Sequence, residues 1–129
     1  MSTAPAIPGV RGKLRADAPL APLVWFKSGG NAELLFEPAD RDDLVTYLKG
    51  LDAETPVMAL GLGSNMIVRD GGVPGVTVRL GKAFSKIERL DEVTLRCGGG
   101  ASGILVTSTA RDAGIAGLEF LRGIPGTVG

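Results

Sequence analysis

Gly61-Leu62-Gly63-Ser64-Asn65 is the stretch whose residue types could hold a ligand. Glycines permit positive φ and let bare backbone approach a bound group. Successive N–H groups in such a turn form a concave nest for an anion. Ser64 adds a hydroxyl and Asn65 an amide, so both can donate to a phosphate oxygen. A second stretch, Gly123-Ile124-Pro125-Gly126-Thr127-Val128-Gly129, cannot be regular helix or strand and is another place for backbone to meet a ligand. The first loop lacks the Gly-Lys-Ser/Thr ending of a P-loop. A Rossmann fingerprint must open a helix, and the apolar run Met66-Ile67-Val68 that follows reads as a strand. The competing reading is a glycine turn that merely joins two buried strands.

Composition removes other chemistries. With no histidine, His-based triads, His general bases and His metal sites are out. Cys97 is the single cysteine, so no internal disulfide forms and a reducing compartment suits the chain. No histidine stands ready to activate that thiol, so it reads as a small buried side chain rather than a nucleophile. Asp40, Asp42 and Asp43 complement a helix N-terminus, and no metal site is expected. Fourteen basic and fourteen acidic residues cancel, which is not the footprint of a nucleic-acid binder. No apolar run approaches the ~20 residues of a membrane span, and the N-terminus is not a secretory signal. Glycine is abundant, 20 of 129 residues, which implies many tight turns.

The elements that must position these loops follow from spacing and punctuation. Met1 to Pro8 is a loosely held Ala/Pro lead-in, and Arg11, Lys13 and Arg15 are solvated. Pro19 to Phe26 is expected as an extended segment packed on the domain, and Lys27-Ser28-Gly29-Gly30-Asn31 as a turn. Lys27 is within reach of an anion in principle, although a lone exposed lysine ordinarily faces water. Ala32–Phe36 reads as a strand. Pro38–Gly50 reads as a helix with Leu44, Leu48 and Leu51 on its inner face. Val57–Leu60 reads as the next strand. This β-α-β order predicts a parallel pair joined by a right-handed crossover. Arg69-Asp70-Gly71-Gly72 turns the chain into a strand over Gly75–Leu80. Lys86–Leu90 and Val93–Cys97 alternate with period two about Asp91-Glu92, a hairpin. Gly98-Gly99-Gly100 then reverses the chain. Ser102–Ala113 reads as a helix with Ser102, Leu105, Val106, Thr109, Ala110 and Ala113 on one small-residue face, stopped by Gly114.

Taken together, three stretches resemble the UDP-N-acetylenolpyruvoylglucosamine reductase family, flavoenzymes of peptidoglycan precursor synthesis. They are Leu23 to Gly30, Gly61 to Gly75, and Gly114 to Gly129, in that family's order and spacing. The resemblance covers roughly residues 18 to 129. It implies a mixed fold (α/β or α+β), an FAD-binding domain of the vanillyl-alcohol-oxidase type with two α/β lobes and the cofactor between them. On that frame, 1–17 is a flexible lead-in, 18–82 the first lobe and 83–129 the start of an incomplete second lobe, with the substrate-binding domain absent. The expectation is thus a truncated chain. Gly61, Leu62, Gly63, Ser64, Asn65 and Met66 would cradle the FAD pyrophosphate. Gly123, Ile124, Pro125, Gly126, Val128 and Gly129 would line the flavin and pyrophosphate from the other lobe.

The resemblance further implies a cytoplasmic oxidoreductase that uses NADPH to reduce the enolpyruvyl double bond of a UDP-sugar. The family's catalytic serine, arginine and glutamate lie beyond Gly129, so no catalytic residue is assigned in this chain, and Arg122, Glu119 and Ser64 do not fill the gap. No turnover is expected of these 129 residues alone. The family often carries arginine where this chain has Lys27 and threonine where it has Val24. Lysine keeps the charge and loses the bidentate fork, so no phosphate contact is assigned to Lys27. Two rival readings are another FAD-linked oxidoreductase of the same superfamily and a non-enzymatic α/β module. The first commonly tethers flavin through histidine or cysteine.

Overall fold

The computed structural model describes residues 7–129, and most of the Met1–Pro8 lead-in lies outside the described residues. The chain divides into two compact units, one reaching Leu80 and the other Gly81–Gly129.

The first unit is built on a four-stranded sheet, β1 (Lys13–Pro19), β2 (Asn31–Glu37), β3 (Val57–Leu60) and β4 (Val73–Arg79), in the order β1-β2-β4-β3. β1 runs antiparallel to β2, whereas β2 and β3 each run parallel to β4. The expected parallel arrangement is present, but β4 lies between the two strands of the β-α-β unit. β1 was not anticipated: Lys13-Leu14-Arg15-Ala16-Asp17-Ala18-Pro19 carries charge along most of its length, and the strand exists because it pairs with β2. Arg15 and Lys13 are exposed as expected, yet they stand on an ordered strand rather than in a loose lead-in.

The two faces of the sheet bury different sets of side chains. Leu34, Phe36, Val76 and Val78 meet Tyr47, with Leu14, Leu44 and Leu51 at the margin. Ala18, Leu20, Val24, Ala32, Leu35, Leu60 and Val68 fill the other face. Ala32 and Leu35 share a face although they are three residues apart. The register shifts between Ala32 and Leu34, and such an irregularity changes which residues point to which side.

Helix α1 spans Arg41–Gly50 rather than starting at Pro38. Asp40 is its N-cap and accepts the Asp43 N–H at 2.8 Å, so Pro38 and Ala39 belong to the entry. Its inner face is also rotated from the expected one: Asp43 and Tyr47 are buried, while Leu48 is 41 % exposed. The sheet presents Phe36 to the helix, and Tyr47 stacks on it with ring centroids 4.0 Å apart. The Pro19–Phe26 segment packs on the domain through Leu20 and Val24, but a short 3-10 turn, Ala21–Leu23, interrupts the extended backbone.

In the second unit β5 (Ile87–Arg89) and β6 (Leu95–Cys97) pair antiparallel. Asp91 shapes their turn by accepting the Val93 N–H at 2.9 Å. Helix α2 (Gly103–Asp112) is capped by Ser102, whose hydroxyl accepts the Leu105 N–H at 3.2 Å. Gly114 follows at φ +71, and Ile115 N–H returns to Ala110 O at 2.8 Å, the wrapped end that a left-handed glycine allows. The buried face of α2 is Gly103, Val106 and Ala110. Leu105, placed on the inner face by spacing, is 52 % exposed. A 3-10 turn, Glu119–Gly123, precedes the terminal glycine stretch.

Candidate functional site

The segment between β3 and β4 is one continuous irregular loop. Met66-Ile67-Val68 is not a strand: the place between β2 and β3 is taken by β4, and these residues pair with no strand. They alternate instead between cover and solvent, with Val68 buried, Met66 packed on the core and Ile67 exposed. The glycine loop therefore joins β3 to an irregular crossover.

Gly63 fixes the shape of this loop. It is buried, sits at φ +64, and its carbonyl accepts the Trp25 N–H at 2.9 Å. A Cβ there would overlap the Leu23 carbonyl and meet Val24 Cα at 2.8 Å. Only glycine fits such a position at that φ. Gly61, Leu62 and Asn65 are exposed and Ser64 is half-buried. Among the described residues, no N–H from Leu62 to Val68 donates to an acceptor in the chain, and neither the Ser64 hydroxyl nor the Asn65 amide has a protein partner. A run of seven undonated N–H groups is unusual, because backbone donors are nearly always paired with protein or water.

The other end of the loop is held by the Gly29-Gly30 pair. Gly30 N–H donates to Arg69 O at 2.9 Å, and Gly72 N–H donates to the same carbonyl at 2.9 Å. The expected turn at Lys27–Asn31 begins earlier, where Lys27 N–H returns to Val24 O at 3.2 Å with Lys27 at φ +53. The Lys27 ammonium donates to Pro22 O at 3.0 Å, so it faces its own chain rather than the loop. The sequence places Gly29 and Gly30 in a turn and in the Leu23–Gly30 stretch of the resemblance, with no contact to the loop assigned. The signal that could have placed Gly30 was the second glycine pair, Gly71-Gly72, whose Gly72 it approaches.

In the second unit the terminal stretch folds back on the start of α2. Thr127 bridges Ser102. Val128 N–H donates to Ala101 O at 2.8 Å and Gly129 N–H to Gly99 O at 2.9 Å. Those two N–H groups thus hold the loop together, whereas the N–H groups of Gly126 and Thr127 meet no acceptor among the described residues. Gly123, Ile124, Pro125, Val128 and Gly129 are exposed and Gly126 is half-buried. Phe84 explains the reversal at Gly98: a Cβ on Gly98 would enter the Phe84 carbonyl group, and Gly98 N–H donates to Lys86 O at 2.9 Å.

Neither described groove involves the two glycine stretches. One, of about 730 Å³ in the first unit, is lined among others by Asp17, Asn31, Glu33 and Asp70. The other, of about 310 Å³ in the second unit, lies by Ser108, Arg111 and Arg122. No group of three or more acidic or cysteine side chains could hold a metal ion among the described residues. Burial pushes the Cys97 thiol above its ordinary value, which disfavours a reactive thiolate. No described helix is long and apolar enough to cross a membrane.

Residues 32–129 match a protein-family profile described as an FAD binding domain. The chain is 74 % identical, over its full length, to UDP-N-acetylenolpyruvoylglucosamine reductase of Sphingopyxis alaskensis, covering 43 % of that protein. It is 78 % identical over 120 residues to the reductase of the same name from Novosphingobium aromaticivorans, covering 40 % of it. A crystal structure of UDP-N-acetylenolpyruvylglucosamine reductase from Thermus caldophilus superposes on 92 % of the chain and 40 % of its own length, with TM-score 0.68 and 33 % identity. The chain therefore spans about two fifths of the length of the relatives it matches. The residues present suit the cofactor that the family description names. Undonated N–H groups on an uncharged glycine loop are what an oxygen-rich diphosphate needs, and the contact of Gly63 with Leu23 and Val24 holds them without any side chain in the way. On the family match and the fold together, this chain belongs to the FAD binding domain family.

Proposed function

We propose that the chain is the FAD-binding portion of an NADPH-dependent reductase that acts on the enolpyruvyl group of a UDP-sugar in cytoplasmic peptidoglycan precursor synthesis. The observation that carries this reading is the row of undonated N–H groups from Leu62 to Val68 beside the unpartnered Ser64 hydroxyl and Asn65 amide. The high identity to reductases of that name supports the choice of reaction.

The chemistry that bound FAD would supply is hydride transfer, from NADPH toward the enolpyruvyl double bond. The chain's own residues bind and orient. Gly61 and Gly63 keep side chains out of the loop, and the N–H groups from Leu62 to Met66, with Ser64 and Asn65, would donate to the pyrophosphate oxygens. Such donors stabilise a dianionic diphosphate without a lysine or arginine, because each N–H dipole is already fixed and needs no reorganisation. In the second unit, Gly126 and Thr127 supply the undonated N–H groups. Gly123, Ile124, Pro125, Val128 and Gly129 would form the surface that the cofactor meets. No proton donor for the reaction is assigned within these residues.

An FAD titration of the chain, followed by flavin fluorescence, tests the reading. Saturable binding is expected, weakened by about tenfold or more in Ser64→Ala/Asn65→Ala, since each lost hydrogen bond to a charged group is worth about 1.5–3 kcal/mol. Equal FAD affinity in the wild type and the double variant would overturn the assignment of the loop.

A further inference from the structure

The stretch from Val24 to Asn31 has no role in the reading above, although two of its backbone N–H groups bond the loop. At one end Trp25 N–H donates to Gly63 O at 2.9 Å. At the other Gly30 N–H donates to Arg69 O at 2.9 Å. The packing at both ends leaves no space for a side chain. A Cβ on Gly29 would come within 2.6 Å of Val68 Cβ, and one on Gly30 within 2.6 Å of Gly72 N. The stretch is itself fixed at its ends: Val24 and Ala32 are fully buried in one core cluster with Leu20, Leu35 and Val68. Only the residues from Ser64 to Val68 remain between the two contacts, and they include the side chains assigned to the phosphate.

We infer that Val24–Asn31 is a two-point clamp that sets the direction of the loop's N–H groups, with Trp25 and Gly30 as positioning residues. The inference rests on the reading of the loop as an FAD cradle. Its physical basis is the planar trans peptide, in which C=O and N–H point opposite ways. With the Gly63 carbonyl tied to Trp25, the Ser64 N–H of the same peptide points away from Trp25. The Arg69 carbonyl, held by both Gly30 and Gly72, anchors the far end of the loop in place; its own peptide carries the Asp70 N–H, just past the row. A loop ordered before the ligand arrives avoids the ordering cost on binding. The clamp therefore acts on affinity through Gly63 and Arg69 without touching the ligand. It also accounts for the Gly29-Gly30 pair by close approach to Val68 and Gly72.

Four variants of the chain, titrated with FAD, test this. Trp25→Pro removes the N–H, and the residue before it already has the extended backbone that proline demands, since Val24 sits at φ −118, ψ 150. Trp25→Ala removes the indole and keeps the N–H. Gly30→Ala displaces the second contact. Leu44→Ala loosens the other face of the sheet and serves as a control for general loss of stability. The expected result is FAD binding weakened at least tenfold in Trp25→Pro and Gly30→Ala, and by less than threefold in Trp25→Ala and Leu44→Ala. Losses in Trp25→Pro and Gly30→Ala no larger than in Leu44→Ala would overturn the clamp. So would a Trp25→Ala as damaging as Trp25→Pro, which would make the indole itself the contributor.

Hydrogen exchange on the wild-type chain without ligand gives a readout independent of the variants' folding. Slow exchange at Trp25 and Gly30 with fast exchange from Ser64 to Ile67 is expected. Fast exchange at Trp25 and Gly30 would overturn the clamp even if FAD binds. Conversely, a wild-type chain that shows the protected pattern and binds no FAD would sink the cofactor reading and, with it, the clamp's role.

Discussion

Asp43 Oδ2 accepts the Gly12 N–H at 2.8 Å, tying α1 to the residue that precedes β1. The same carboxylate accepts the N–H groups of Ala39 at 2.8 Å and Arg11 at 2.7 Å, and the side chain is 1 % exposed. What the sequence offers as one member of an acidic cluster is thus the pin that fastens the entry to an edge strand onto helix α1. An asparagine has one oxygen where the carboxylate has two. Asp43→Asn should therefore destabilise the first unit by about 1–3 kcal/mol, the cost of leaving a buried donor unsatisfied. Urea unfolding checks it.

That pin gives the fold a defined response to acid. Burial alone would push the Asp43 carboxyl upward, but the N–H groups of Ala39, Arg11 and Gly12 outweigh it and hold the group below its ordinary value of 3.8. With a depressed value in the folded state, the contribution is fully present above about pH 3.8 and is lost as pH falls through the folded value. Asp43→Asn should lack this acid limb, so its stability should fall less than that of the wild type between pH 4 and pH 2. Equal slopes in the two proteins would contradict the assignment.

Tyr47 predicts a change in the opposite direction. Its hydroxyl is buried without a partner among the described residues, while its ring stacks on Phe36. Removing an unsatisfied buried polar group while keeping the ring should leave stability unchanged or raise it by about 1 kcal/mol. Burial also raises the phenol above its ordinary value of 10.0. The contribution of that shift is present below pH 10 and is lost as pH rises through the folded value. Tyr47→Phe should accordingly resist alkaline unfolding better than the wild type, as thermal melts at pH 8 and pH 11 would show.

In the second unit the test falls on a cap. Ser102 Oγ accepts the Leu105 N–H at 3.2 Å and leads into a helix whose first turn carries no acidic residue. Ser102→Ala should lower stability by about 1 kcal/mol and Ser102→Asp should largely restore it. Equal melting of all three would mean that the cap contributes nothing measurable.

The sequence by itself determined the local pieces. Ser102 announces a helix start, the Asp40–Asp43 cluster a helix N-terminus though not its first residue, Gly114 a helix stop, Asp91 a hairpin, and Gly61 to Asn65 an irregular loop with donors. Each depends on residues within a few positions of one another, where capping, turn chemistry and glycine's φ act whatever the rest of the chain does. The resemblance of three motifs to one reductase family also stood in the sequence, and the family match and fold agree with it.

What only the tertiary structure decided depends on partners far along the chain. Lys13–Pro19 is a strand because β2 lies beside it, and Met66–Val68 is not one because it pairs with no neighbouring strand: β4, not this stretch, lies between β2 and β3. Tyr47 is inside, stacked on Phe36 of the sheet, and Leu48 is outside, a choice that helical spacing leaves open by one residue. The contacts of Trp25 with Gly63 and of Gly30 with Arg69 join segments about forty residues apart. Periodicity and motif spacing report what a stretch can do locally. Which donors stay unpaired, and which way they point, is set by the carbonyls that packing brings within reach.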